Sequence, residues 1–177
     1  MKTVKIIQMV ILLSVCITNI QAQKTEVKGN KNTYILKTGM QSIYSIWNRN
    51  NTLKDITPSY LLHEVIPPIT IVNRSTLDSL VFNYFPLYFK QFSGTFRGFS
   101  VLSMYFFADI NGNIKEMSIS YPKEIGIIPA TIIEEFEAAV LQSNVKLSFD
   151  KDHPTFKGSA WVGQYALYDS NKLQNYK

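Results

Sequence analysis

The sequence predicts an α+β fold: an antiparallel sheet of three or more strands with helices packed on one face. Three observations carry that expectation. Between residues 101 and 121 apolar residues recur at a period of two around Asn111 and Gly112, the strongest short-range hairpin signal. The segments that follow Ser75 and Thr131 instead space their apolar residues by three and four, the helical period. Residues 159–168 (SAWVGQYALY) alternate again. The C-terminal half therefore reads helix, strand, turn, strand, helix, strand.

The first residues, MKTVKIIQMVILLSVCITNIQAQ, have the grammar of an export signal. Lys2 and Lys5 supply the positive start, residues 6–15 the apolar segment, and a polar run leads to the small residue Ala22. The apolar segment is shorter than the roughly 20 residues a membrane span needs, so cleavage after Ala22 is expected. Cys16 follows Val15 rather than a small residue, which disfavours lipoprotein processing. Residues 23–177 then form a single domain without cysteine, hence without a disulfide or a thiolate site. The formal charge of +5 falls to +3 once Lys2 and Lys5 leave, and the basic residues are scattered. That argues against nucleic acid as a partner. No second apolar run long enough to span a membrane follows, so the expected location is the periplasm or the outer membrane's surface.

Along the mature chain, residues 23–32 (QKTEVKGNKN) read as a loose polar leader. Residues 34–37 suggest a short strand ending at Gly39, residues 40–47 fit helix or strand, and residues 48–51 a turn. Thr57 and Pro58 open a short helix to about Val65, with Leu61, Leu62 and Val65 on one side. Pro67 and Pro68 stop it, and residues 69–72 follow as a strand. Ser75 with Asp78 forms a capping box for the next helix, which carries Leu77, Leu80 and Val81 and ends near Phe85, before Pro86. Pro129, then Thr131 with Glu134, mark a second capped helix with the apolar stripe Ile132, Ile133, Phe136, Ala139 and Val140. Residues 145–149 look extended, and residues 150–158 form a charged loop.

The hairpin stretch DINGN (residues 109–113) is either a cation loop or a turn. A helix-loop-helix calcium site needs glycine at loop position 6 and glutamate at position 12. Counted from Asp109, those positions hold Ile114 and Ser120, so the stretch is a turn. A two-residue turn at Asn111 and Gly112 sets Phe106 against Met117, Met104 against Ile119 and Leu102 against Tyr121. A three-residue loop with Gly112 in a bulge would shift the register by one and exchange the faces.

No catalytic, cofactor or metal site emerges. His63 opens HEVIP, but Pro67 stands where a zinc helix needs its second histidine. His153 lies with Asp150 and Asp152 in a stretch that reads as a solvated loop. Glu134, Glu135 and Glu137 read as helix-start carboxylates turned away from the core. No nucleophile elbow or phosphate loop is present, so the expectation is a non-enzymatic protein. The aromatic stretch VFNYFPLYFKQFSGTFRGFS places Phe82, Phe85, Phe89 and Phe92 at helical spacing, as a core stripe against Leu102, Met104 and Phe106. Tyr84, Tyr88 and Arg97 would stay accessible, an alternative surface for a sugar, lipid or peptide.

The order of elements over residues 76–169 resembles the TonB C-terminal domain. SMYFFADINGNIKEMSISY, IIEEFEAAVLQSNVKLSF and GSAWVGQYALYD carry the likeness. Two features depart from it. Residues 147–151 (LSFDK) lack the proline that commonly follows the family's phenylalanine, and with the signal expected to be cleaved no anchor is expected to remain, nor does a proline-rich spacer follow it. The resemblance implies an envelope adaptor whose last strand, at a sheet edge, accepts a strand from a protein or peptide. Trp161, Gln164, Tyr165 and Tyr168 are the expected contact residues. Proline at Val162 or Gln164 would then remove binding without unfolding the domain.

Overall fold

The computed structural model describes residues 23–39, 42–90, 101–169 and 172–173. The expected export signal (residues 1–22), Phe92, Phe96, Phe99 and Arg97 lie outside the described residues. In chain order the elements are β1 (Lys24–Lys28), β2 (Thr33–Thr38), β3 (Ile43–Asn48), β4 (Thr70–Val72), α1 (Arg74–Tyr84), α2 (Pro86–Phe89), β5 (Leu102–Ala108), β6 (Ile114–Pro122), α3 (Ala130–Gln142), β7 (Lys146–Ser148) and β8 (Val162–Tyr168). The large sheet runs β1-β2-β3-β6-β5-β8, antiparallel throughout, while β4 and β7 pair in a small sheet of their own. The fold is α+β, as the sequence predicts.

Alternation builds the core. Leu102, Met104 and Phe106 on β5, Met117, Ile119 and Tyr121 on β6, and Ala166 and Tyr168 on β8 share one face with Tyr34, Leu36 and Ile46. Against that face pack Leu77, Val81, Phe82, Phe85 and Phe89 of the two N-terminal helical segments and Ile133, Phe136 and Val140 of α3. Phe85 and Phe136 meet edge-on with ring centroids 4.8 Å apart. The break at Pro86 falls between α1 and α2, and Phe82, Phe85 and Phe89 fill the core as expected. On the opposite face a smaller cluster joins Tyr60, Phe107, Phe156, Trp161 and Val162.

The hairpin combines both expected turns. Phe106 pairs with Met117 and Met104 with Ile119, as the two-residue turn requires. The loop itself has three residues, because Asp109 N–H donates to the Asn113 carbonyl and Ala108 pairs with Ile114. A bulge after Phe107 absorbs the extra residue and restores the register. Gly112 has φ +79°, and a Cβ there would lie 1.9 Å from the Leu147 carbonyl oxygen, so only glycine fits. The Asp109 carboxylate accepts from the backbone N–H groups of Asn111 and Asn113 and pairs with Lys115 at 3.3 Å.

Three local expectations are corrected. Residues 23–32 are not a loose leader, since Lys24–Lys28 is the edge strand β1. Its polar letters reflect an edge with only Val27 packed on the core. The helix expected after Pro58 is a single turn, Ser59–Leu62; Leu61, Leu62 and Val65 are exposed and Tyr60 is the buried residue. Neither capping box forms. Asn73, in the left-handed region at φ 56°, precedes α1, and Pro129 precedes α3. Tertiary partners claim the two acidic side chains instead: Asp78 accepts from Arg74 Nε and the Tyr168 hydroxyl, both at 2.8 Å.

Candidate functional site

A cleft of about 550 Å³ opens between the β1–β2 turn, the end of β3, the start of β6 and α3. Its walls hold carboxylates that the sequence reading turned outward. Glu134 and Glu137 are only 7% and 6% exposed. Glu134 crosses to the β1–β2 turn, where Asn30, Lys31 and Asn32 donate their backbone N–H groups to it and Asn32 adds its amide. Gly29 permits this approach, since a Cβ there would sit 2.7 Å from Glu134 Oε2. Burial works against the Glu134 charge, but these donors outweigh it and hold the carboxyl below its ordinary range.

Glu137 behaves in the opposite way. Its Oε2 accepts from the Tyr34 hydroxyl at 2.6 Å and from Asn48 Nδ2 at 3.2 Å. Burial pushes its carboxyl up; those two bonds pull it down, and the charges of Glu134 and Glu116 push it up again, for a net rise. Glu116 on β6 is committed to backbone, accepting from Thr52 N–H at 2.8 Å and Leu53 N–H at 2.9 Å. The signal that could have found Glu137 is its position, four residues after Ile133 and three before Val140. Those intervals put it on the core stripe of α3.

The β8 edge divides the expected contact residues. Trp161 is buried and donates Nε1–H to the Ile56 carbonyl at 2.8 Å; Tyr168 is fully buried beneath Arg74. Both belong to packed clusters rather than to a contact surface, Trp161 against Tyr60 and Phe107 and Tyr168 against Phe82. Gln164 and Tyr165 do border a shallow groove of about 310 Å³, with Thr70, Ile71 and Arg74 opposite. Tyr165 is 57% and Leu167 55% exposed.

Backbone direction along β8 alternates. Gly163 N–H donates to the Tyr60 hydroxyl, and Tyr165 N–H to the Gln164 side chain, so residues 163, 165 and 167 face away from β5. Val162 and Gln164 therefore bond to β5. Proline at either would break the sheet ladder instead of silencing an edge, which corrects the expected variant. Tyr84 and Tyr88 are half-buried against the core, Tyr84 edge-on to Phe136 at 5.8 Å. His63 is exposed, and His153 Nδ1 caps the turn Pro154–Phe156 by accepting from Thr155 N–H at 3.2 Å, so this histidine is a structural cap rather than part of a solvated loop. Among the described residues no group of three His, Cys, Asp or Glu could hold a metal ion, and no helix is long and apolar enough to cross a membrane.

The fold and these sites describe an α+β module with a partly covered sheet edge and a polar cleft. No family model and no curated protein matches the chain. Its fold is similar to the crystal structure of a DUF5043 family protein from Bacteroides uniformis ATCC 8492, with a TM-score of 0.59 and 14% identity. The likeness covers 86% of this chain and 94% of that one.

Proposed function

We propose that the chain is a non-enzymatic binding module of the bacterial envelope, exported by its N-terminal signal, that takes an extended partner strand along β8. The observation that carries this reading is the position of β8, the last strand of the sheet, with a groove between it and β4. The Leu167 N–H donates to no partner among the described residues and, by the alternation along β8, faces outward, as a strand-addition site requires. In support, the order α1, α2, β5, β6, α3, β7, β8 follows the element order of a TonB C-terminal-like module. Tyr165 would supply the aromatic contact beside the added strand, and Arg74 the polar wall opposite.

The test compares envelope proteins retained by residues 23–177 with those retained by Leu167→Pro and Tyr165→Lys. Both substitutions point away from the β5 ladder, so circular dichroism of each variant should match the parent. A partner held by the parent and lost by both variants supports the edge. A partner held equally by all three places binding elsewhere.

A further inference from the structure

The cleft beside α3 lies apart from the β8 edge. Glu137 is nine-tenths buried, and among the described residues only one of its oxygens is engaged: Oε2 takes both the Tyr34 and Asn48 donors. No buried side-chain oxygen among the described residues lacks a partner, so the unengaged Oε1 borders the open cleft. The groups around it are short of positive charge. Glu134 faces it from α3 and Glu116 from β6, while Tyr34 and Asn48 approach from β2 and β3 as neutral donors. Of the two lysines on the wall, Lys115 pairs with Asp109, and Lys31 is exposed, its backbone N–H donating to Glu134. No lysine or arginine among the described residues forms an ion pair with Glu137.

We propose that this cleft binds a small molecule through a primary ammonium group, with Glu137 Oε1 as its counter-charge. A buried carboxyl without a cation is destabilising, and a ligand ammonium supplies the missing charge. A divalent ion does not fit, because Glu134 and Glu116 already accept from backbone N–H groups and leave too few oxygens for its shell. Asn30 and Asn50 at the rim offer amides to hydroxyl groups, and Leu141 an apolar edge. An amino sugar or a small amino alcohol has this combination.

The test titrates residues 23–177 with glucosamine and ethanolamine, beside their neutral isosteres glucose and ethylene glycol, and follows the backbone amide resonances of residues 30–32 and 48–51. The amines should shift those resonances at least about tenfold more tightly than the isosteres, a preference of about 1.4 kcal/mol. Affinity should fall by up to about tenfold per pH unit once the pH drops below the Glu137 pKa, because protonation removes the counter-charge. Glu137→Gln keeps an acceptor for Tyr34 and Asn48 and should abolish the amine preference. Equal binding of amine and isostere, or no shifts with any of the four at millimolar concentration, overturns the proposal on the unaltered protein alone.

Discussion

Replacing Glu134 by glutamine is expected to loosen the β1–β2 turn from α3. The carboxylate gathers three backbone N–H donors and one amide. Hydrogen bonds to a charged group contribute about 1.5–3 kcal/mol each, against about 0.5–1.5 for neutral pairs. Glutamine keeps one carbonyl acceptor and sets an NH2 among donors, so at least one backbone N–H loses its partner. Water reaches the turn and recovers part of the difference, leaving a loss of about 2 kcal/mol. For a chain of this length that corresponds to a fall in Tm of roughly 4–8 °C. Calorimetry measures the fall, and hydrogen exchange should locate it at the amides of Asn30, Lys31 and Asn32. The pH dependence fixes the sign. Because the folded-state pKa of Glu134 is depressed, its contribution is present above the ordinary carboxylate range and lost as pH falls through the folded value. The variant should therefore lack that acid limb. An unchanged Tm with full protection of the three amides would refute the clamp.

Three further outcomes follow from the same geometry. Gly112→Ala should destabilise by more than about 2 kcal/mol, since positive φ and the Leu147 carbonyl both oppose a Cβ; a urea midpoint shift checks it. Phe85→Ala removes a fully buried ring packed on Phe136, and should cost about 3–5 kcal/mol in the same denaturation assay. Glu137→Gln should equal the parent in stability at low pH and exceed it above the raised Glu137 pKa, because the carboxyl's favourable protonated state is lost as pH rises through that value. Thermal melts across the range read this directly, and a variant less stable at high pH would contradict it.

What the sequence conveyed is local order and periodicity. The strands β5, β6 and β8 announce themselves by alternation around a glycine turn, and the core spacing of Phe82, Phe85 and Phe89 is legible without coordinates. What it concealed depends on distant partners. β1 is charged because an edge strand needs few apolar residues, so its composition resembles a leader. Glu134 and Asp78 sit where capping-box residues belong, yet donors about 100 and 90 residues away in sequence claim them. Trp161 and Tyr168 looked like surface aromatics on an edge strand, but the loop around Tyr60 covers one and α1 covers the other. Glu137 is read outward as a helix-start carboxylate although its spacing from Ile133 and Val140 sets it on the apolar stripe, where it is buried.

Strand addition at β8 is read at the Leu167 amide. In the free protein this N–H faces outward without a partner among the described residues and should exchange rapidly with solvent, while the amides of Ala166 and Tyr168, bonded to β5, exchange slowly. With the captured partner bound, Leu167 should become protected alongside its neighbours. A bound complex in which Leu167 still exchanges at its free rate would contradict strand addition at this edge.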